Sequence, residues 1–279
     1  MVKKLESKTS DSKANRYGQL IEDIFFRHYT RDRESIEFTK DDLIETASLL
    51  GITLPKNVPD VIYSFRSRGG KTQRIRHTEP KGFQWVIRGK GRGKYVFAMA
   101  RELSLAPNPD YIETKIPDAT PGIISKYALG DEQALLAKIR FNRLIDIFTG
   151  LTCYSMQSHL RTSLPDIGQT ETDEFYLGVD KHGAHYGLPV EAKGEKDDLG
   201  IIQIENNFAL RTKKEFKGLV FRPIAAQFRK DQAIVLTEFS MTEDGIRILA
   251  ERHYRLVSPS ELSEEELASY SKNTSNQLD

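Results

Sequence analysis

Two apolar stretches joined by a tight polar turn decide how the second half of the chain is built. They are Glu171-Thr172-Asp173-Glu174-Phe175-Tyr176-Leu177-Gly178-Val179 and His185-Tyr186-Gly187-Leu188-Pro189-Val190-Glu191-Ala192-Lys193, with Asp180-Lys181-His182-Gly183-Ala184 between them. A loop over Asp180–Ala184 sets Val179 opposite His185 in an antiparallel pair, and the same register sets Asp173 opposite Glu191. Directly opposed residues have Cβ atoms roughly 4.5–5.5 Å apart. Lys193 lies two residues beyond Glu191 and points to the same face. Two carboxylates that close repel when both are ionised, and a divalent cation between them removes the conflict. Oxygen ligands select Mg²⁺, with Mn²⁺ as the alternative ion. Such an ion polarises a phosphate oxygen and acidifies a bound water, and an adjacent ammonium stabilises charge on the phosphorus centre.

The spacing alone is common. An acidic residue two before a lysine occurs at Glu6/Lys8, Asp11/Lys13, Glu79/Lys81, Glu113/Lys115, Glu191/Lys193 and Glu215/Lys217. Only the Glu191 copy ends an apolar strand whose hairpin partner opens on an acidic residue. Around this hairpin the pattern predicts a long helix from Asp131 to Phe148 and a strand over Thr152–Leu164. A helix from Ile201 to Phe208 and extended pieces at Leu219–Phe228, Ala233–Phe239 and Ile246–Leu256 follow.

With that order, α-β-β-β-α-β, and the trio Asp173, Glu191 and Lys193, the region from about Asp131 to Leu256 resembles the PD-(D/E)XK nuclease superfamily, type II restriction endonucleases in particular. The resemblance implies metal-dependent phosphodiester hydrolysis by these three residues, with the Ala192 carbonyl as a further metal ligand. It also implies an acidic residue on the first helix of the core, where Glu132 stands, and a polar residue on the helix after the Glu-x-Lys strand, where Gln203 stands. First-turn placement against the helix dipole and plain surface exposure explain Glu132 and Gln203 equally well. One departure is clear: Thr172, not proline, precedes Asp173. A literal Pro165-Asp166 pair lies upstream in a turn-like stretch and leaves Asp166 as an alternative acid.

The first half reads differently. Residues 51–100 hold 11 Lys and Arg against 2 Asp and Glu, although the whole chain has a net charge of only +1. A helix over Tyr17–Tyr29, a short extended piece at Ser35–Phe38, a helix capped by Thr39, a third helix over Asn57–Arg68 and a hairpin with strands at Phe83–Ile87 and Tyr95–Ala98 follow one another. That is the order of a winged helix-turn-helix. Ser64, Arg66, Arg68 and Lys71 would face DNA at the end of the third helix. Arg88, Lys90, Arg92 and Lys94 sit on the glycine-rich wing. The expected division is a winged-helix-like domain at 14–104, a proline-rich linker at 105–121, a catalytic domain at 122–258 and an acidic tail at 259–279.

Composition excludes other classes. The 279 residues suit two domains. No apolar run approaches the roughly 20 residues of a membrane span, and no signal peptide is expected. The single cysteine, Cys153, excludes an internal disulfide framework and a cysteine-rich zinc site, and a reducing, cytoplasmic setting fits. His182 and His185 read as turn residues, His253 as structural, and the wing glycines lack the spacing of a nucleotide-binding loop. The resulting expectation is a mixed α/β protein, a Mg²⁺-dependent endonuclease of double-stranded DNA without a nucleotide cofactor. Cutting both strands most simply calls for a homodimer. A structure-specific, repair or modification-dependent nuclease and a non-catalytic DNA-binding regulator stay open.

Overall fold

A computed structural model describes residues 6–58, 60–62, 65, 71–127, 132–195 and 197–275, and shows a mixed α/β protein with one small antiparallel sheet and one large mixed sheet. Helix α1 (Glu6–His28) buries Leu20, Ile21, Ile24 and Phe25 at helical spacing. Strand β1 (Ser35–Thr39) ends on the residue that caps α2 (Lys40–Leu49). The Thr39 hydroxyl accepts from the Asp42 amide and the Asp42 carboxylate accepts from the Thr39 amide, so two orphan donors of the first turn are satisfied. The expected helix from 57 to 68 lies partly outside the described residues; within them, 60–62 and 65 are helical and bury Val61, Ile62 and Phe65. A one-turn helix, α3 (Gln73–Arg76), was not expected. Strands β2 (Phe83–Gly89) and β3 (Lys94–Arg101) form the hairpin, and β1 adds to it in the order β1-β3-β2. Phe25, Trp85 and Phe97 meet at the centre of this lobe.

The segment 105–121 is more than a connector. It contains β4 (Glu113–Pro117), which pairs in parallel with a strand near the end of the chain and closes one edge of the large sheet. Helix α4 (Gly122–Tyr127) follows. The single long helix expected from Asp131 is two helices, α5 (Glu132–Phe141) and α6 (Leu144–Thr149). The break coincides with contacts to the segment before α4. The buried Asn142 side chain accepts from the Ala119 amide at 2.7 Å and donates to Thr120 Oγ1 and the Lys138 carbonyl at 2.9 Å each. Arg143 then takes a left-handed φ of 49°.

Strands β5 (Thr152–Leu164), β6 (Gly168–Val179) and β7 (His185–Lys193) form a meander. Helix α7 (Ile201–Ala209) covers one face. The extended piece after it is interrupted at Pro223, which has no amide proton, into β8 (Val220–Phe221) and β9 (Ile224–Phe228). Strands β10 (Ile234–Thr242) and β11 (Gly245–Val257) complete the sheet, and α8 (Glu264–Ser275) is the acidic tail helix. The order is β4-β11-β10-β9-β7-β6-β5, with β8 beside the start of β7. β7 pairs antiparallel with β6 and parallel with β9, and it is buried continuously from Gly187 to Lys193. A strand covered on both faces shows no polar alternation, which is why its charged end stands out. On one face Leu135, Ile139 and Leu144 pack against Leu188, Val190 and Ala192. Among the described residues no helix is long and apolar enough to cross a membrane.

Candidate active site

The β6–β7 register runs from Val179↔His185 to Glu174↔Val190, as the five-residue turn requires. The turn is held by Asp180, whose carboxylate accepts from the His182 and Ala184 amides and from the Tyr186 hydroxyl. His182 is thus a turn residue, and His185 opens β7 opposite Val179. At the far end of the hairpin the Asp173 carboxylate accepts from the Ala192 amide at 2.8 Å, which ties β6 to the strand carrying Glu191. Thr172, the residue before Asp173, is buried, and its hydroxyl donates to the Val190 carbonyl at 3.4 Å.

Glu191 is 1% exposed. Gln203 Nε2 donates to its Oε2 at 2.9 Å and Asn207 Nδ2 to its Oε1 at 3.0 Å, so both oxygens are oriented from α7. Gln203 is itself fixed, because its Oε1 accepts from the Gly200 amide that opens the helix. Lys193 Nζ donates to Glu132 Oε1 at 3.2 Å and to the Ala192 carbonyl at 3.0 Å, and lies 4.0 Å from Asp173 Oδ2. The fold thus gathers Asp173, Glu191, Lys193, Glu132, Gln203 and the Ala192 carbonyl in one place. Asn207 was not anticipated. Its only signal is its i,i+4 spacing from Gln203, which puts both amides on one face of α7.

Other acids near the motif go elsewhere. Asp166 is an exposed turn residue with φ of 63° and does not join the group. Glu171 pairs on the surface with His159 and Arg161. Glu174 turns into the opposite side, fully buried, and takes hydrogen bonds from Arg140, Ser155 and Ser158.

Burial, and then the charge of Asp173, push the Glu191 carboxyl up to about 8. Burial also acts against the Lys193 ammonium, but Asp173, Glu191 and Glu132 together outweigh it and keep the lysine charged above its ordinary range. The sign for Glu191 is definite. Its folded value lies above its ordinary 4.5, so the folded chain holds a proton that the unfolded chain releases. Stability from this group is complete below its unfolded value and is lost as pH rises through the folded one. In EDTA the melting temperature should fall between pH 5 and about 8, and Glu191→Gln should flatten that fall. Thermal melts across this range test it, and an equal slope in the variant would remove Glu191 as the cause.

Among the described residues no three His, Cys, Asp or Glu side chains converge as a ready cage for a metal. The donors on offer are the Asp173 and Glu191 carboxylates and the Ala192 carbonyl, all hard oxygens. Glu191 resists ionisation because it is buried and lies beside the charge of Asp173, and a divalent cation is a neutralising group for it, so this donor set fits Mg²⁺ or Mn²⁺.

The basic lobe departs from expectation. Ser64, Arg66 and Arg68 lie outside the described residues. Lys71 has a side chain only 12% exposed and pairs with Glu79 at 2.6 Å. Lys90 pairs with Glu37, and Arg92 and Lys94 are exposed. Arg88 pairs through two hydrogen bonds, of 2.7 and 2.6 Å, with Glu205 of α7. The wing itself is docked, not free. Gly91 donates its amide to the Asp166 carbonyl at 2.8 Å. At Gly89 a Cβ would sit 2.0 Å from the Ile167 carbonyl oxygen, so only glycine permits this approach. No protein-family model, no curated protein and no solved structure matches the chain.

Proposed function

We propose that this protein is a metal-dependent DNA endonuclease on the PD-(D/E)XK plan, acting as a type II restriction endonuclease, with a winged-helix-like lobe at its N-terminal side. The observation that carries the reading is the convergence of Asp173, Glu191 and Lys193 at the end of one hairpin, with the lysine 4.0 Å from the aspartate. Asp173, Glu191 and the Ala192 carbonyl would hold Mg²⁺, which supplies a polarised phosphate oxygen and a more acidic water.

The chain's own residues do the rest. Lys193 places a positive charge where negative charge grows on the phosphorus centre. Glu132 and the Ala192 carbonyl aim its ammonium. Gln203 and Asn207 fix the plane of the Glu191 carboxylate, so little reorganisation is left to the reaction. One such site cuts one strand, and two copies related by a twofold axis would cut a duplex. Arg92 and Lys94 are exposed cations on the basic lobe that suit the DNA backbone.

The test is incubation of long duplex DNA with the protein and Mg²⁺, beside an EDTA control and Glu191→Ala. Discrete fragments, absent from both controls, are the expected result, and end mapping then gives the site. A smear absent from both controls keeps the nuclease and rejects restriction cleavage. Intact DNA, whether unmethylated, methylated, branched or single-stranded, rejects the reading.

A further inference from the structure

Helix α7 has two commitments. Toward the sheet it presents Gln203 and Asn207, which hold both oxygens of Glu191. Toward the N-terminal lobe it presents Glu205, gripped by Arg88, and Ile202, buried with Val86 and Ala100 of the hairpin. A helix positions 203 and 207 on one side and 205 on the other, so any shift of the grip moves the amides that orient the carboxylate. The Arg88 side chain is 34% exposed and that of Glu205 22%, a partly dried pair in planar, two-pronged geometry.

From this we infer that Arg88 is a positioning residue of the catalytic centre, acting through Glu205 and α7 on Glu191, and not one of the cations that grip DNA. The inference rests on the nuclease reading above. It assigns the basic hairpin a second task, as the brace of the helix behind the metal-side glutamate, and it makes the two lobes one catalytic unit.

The experiment uses the full chain with Arg88→Glu, Glu205→Arg, the double charge swap, and Arg88→Lys. Duplex binding is measured with Ca²⁺ in place of Mg²⁺, and single-turnover cleavage is measured against Mg²⁺ concentration. Each single charge reversal should lower the rate or raise the half-saturating Mg²⁺ by about tenfold, the size found for residues that orient metal ligands from behind. Duplex affinity should be unchanged, and the double swap should recover most of the loss. Arg88→Lys keeps a charge for phosphate but loses the two-pronged pairing, so it should cut more slowly while binding normally. This mild variant carries the test if the reversals fail to fold.

Weakened DNA binding in Arg88→Glu that persists in the double swap would make Arg88 a DNA contact and overturn the inference. Variants that cut like the wild type at every Mg²⁺ concentration would also overturn it, while leaving the nuclease reading intact. Absence of cleavage by the wild type itself would reject the nuclease reading and the inference with it.

Discussion

Lys193→Ala should lower the single-turnover cleavage rate by about 10²–10³-fold at saturating Mg²⁺, the usual consequence of removing one group that stabilises charge in the transition state. Three features of the site set this size. The Lys193 side chain is only 7% exposed, so its charge acts through a medium that screens little. Its ammonium is aimed by Glu132 and by the Ala192 carbonyl, so the charge is already in place before reaction. Among the described residues no other cation pairs with Asp173 or Glu132, so nothing nearby replaces it. Duplex binding with Ca²⁺ should persist, because on the proposed function the residue would act on the reacting phosphate and not along the length of the duplex. Rapid-quench measurements on the variant decide the matter: a rate within a few-fold of wild type would exclude Lys193 from the chemistry and leave the trio as a charged strand end.

The largest stability effect is expected at Phe25, where truncation to alanine should cost about 3–5 kcal/mol. The ring is 0% exposed. Its centroid lies 5.1 Å from that of Phe26, 5.0 Å from Tyr29, 5.2 Å from Trp85 and 5.1 Å from Phe97. Removing it leaves a cavity among rigid rings that have no room to collapse, and it also deletes several edge-to-face contacts. Trp85 and Phe97 belong to the hairpin that contacts α7, so the damage should reach the helix that holds Glu191. Urea unfolding of the variant would show the loss directly. A loss below about 1 kcal/mol would mean that this cluster is not what holds the lobe together.

The hairpin that carries Asp173, Glu191 and Lys193 was legible because its information is local. A five-residue turn and the period of two along a strand set the register, and Asp173 and Glu191 stand only 18 residues apart. The boundaries of β5 and β7 and the capping of α2 by Thr39 were legible for the same reason: each depends on neighbours within a few positions. Gln203 could be placed on the right helix, but its partner Asn207 acquired meaning only when α7 was laid across the sheet.

What the chain alone could not reveal is where distant groups meet. Arg88 and Glu205 are 117 positions apart, and no periodicity relates them. The basic charge of residues 51–100 was visible, yet part of it is spent inside the protein, on Glu79 and Glu205. β4 owes its existence as a strand to β11, about 140 residues later, and the break before α6 owes its place to Asn142 reaching back to residue 119. By itself, then, the sequence determined most of the elements, the hairpin register and the carboxylate–lysine group, because propensity, turn chemistry and alternation act over short stretches. The tertiary structure alone decided which cations remain exposed, which helix orients Glu191 and how the two lobes share it. Those outcomes are set by burial and by pairing across the whole chain, where each charged group must find a partner or remain in water.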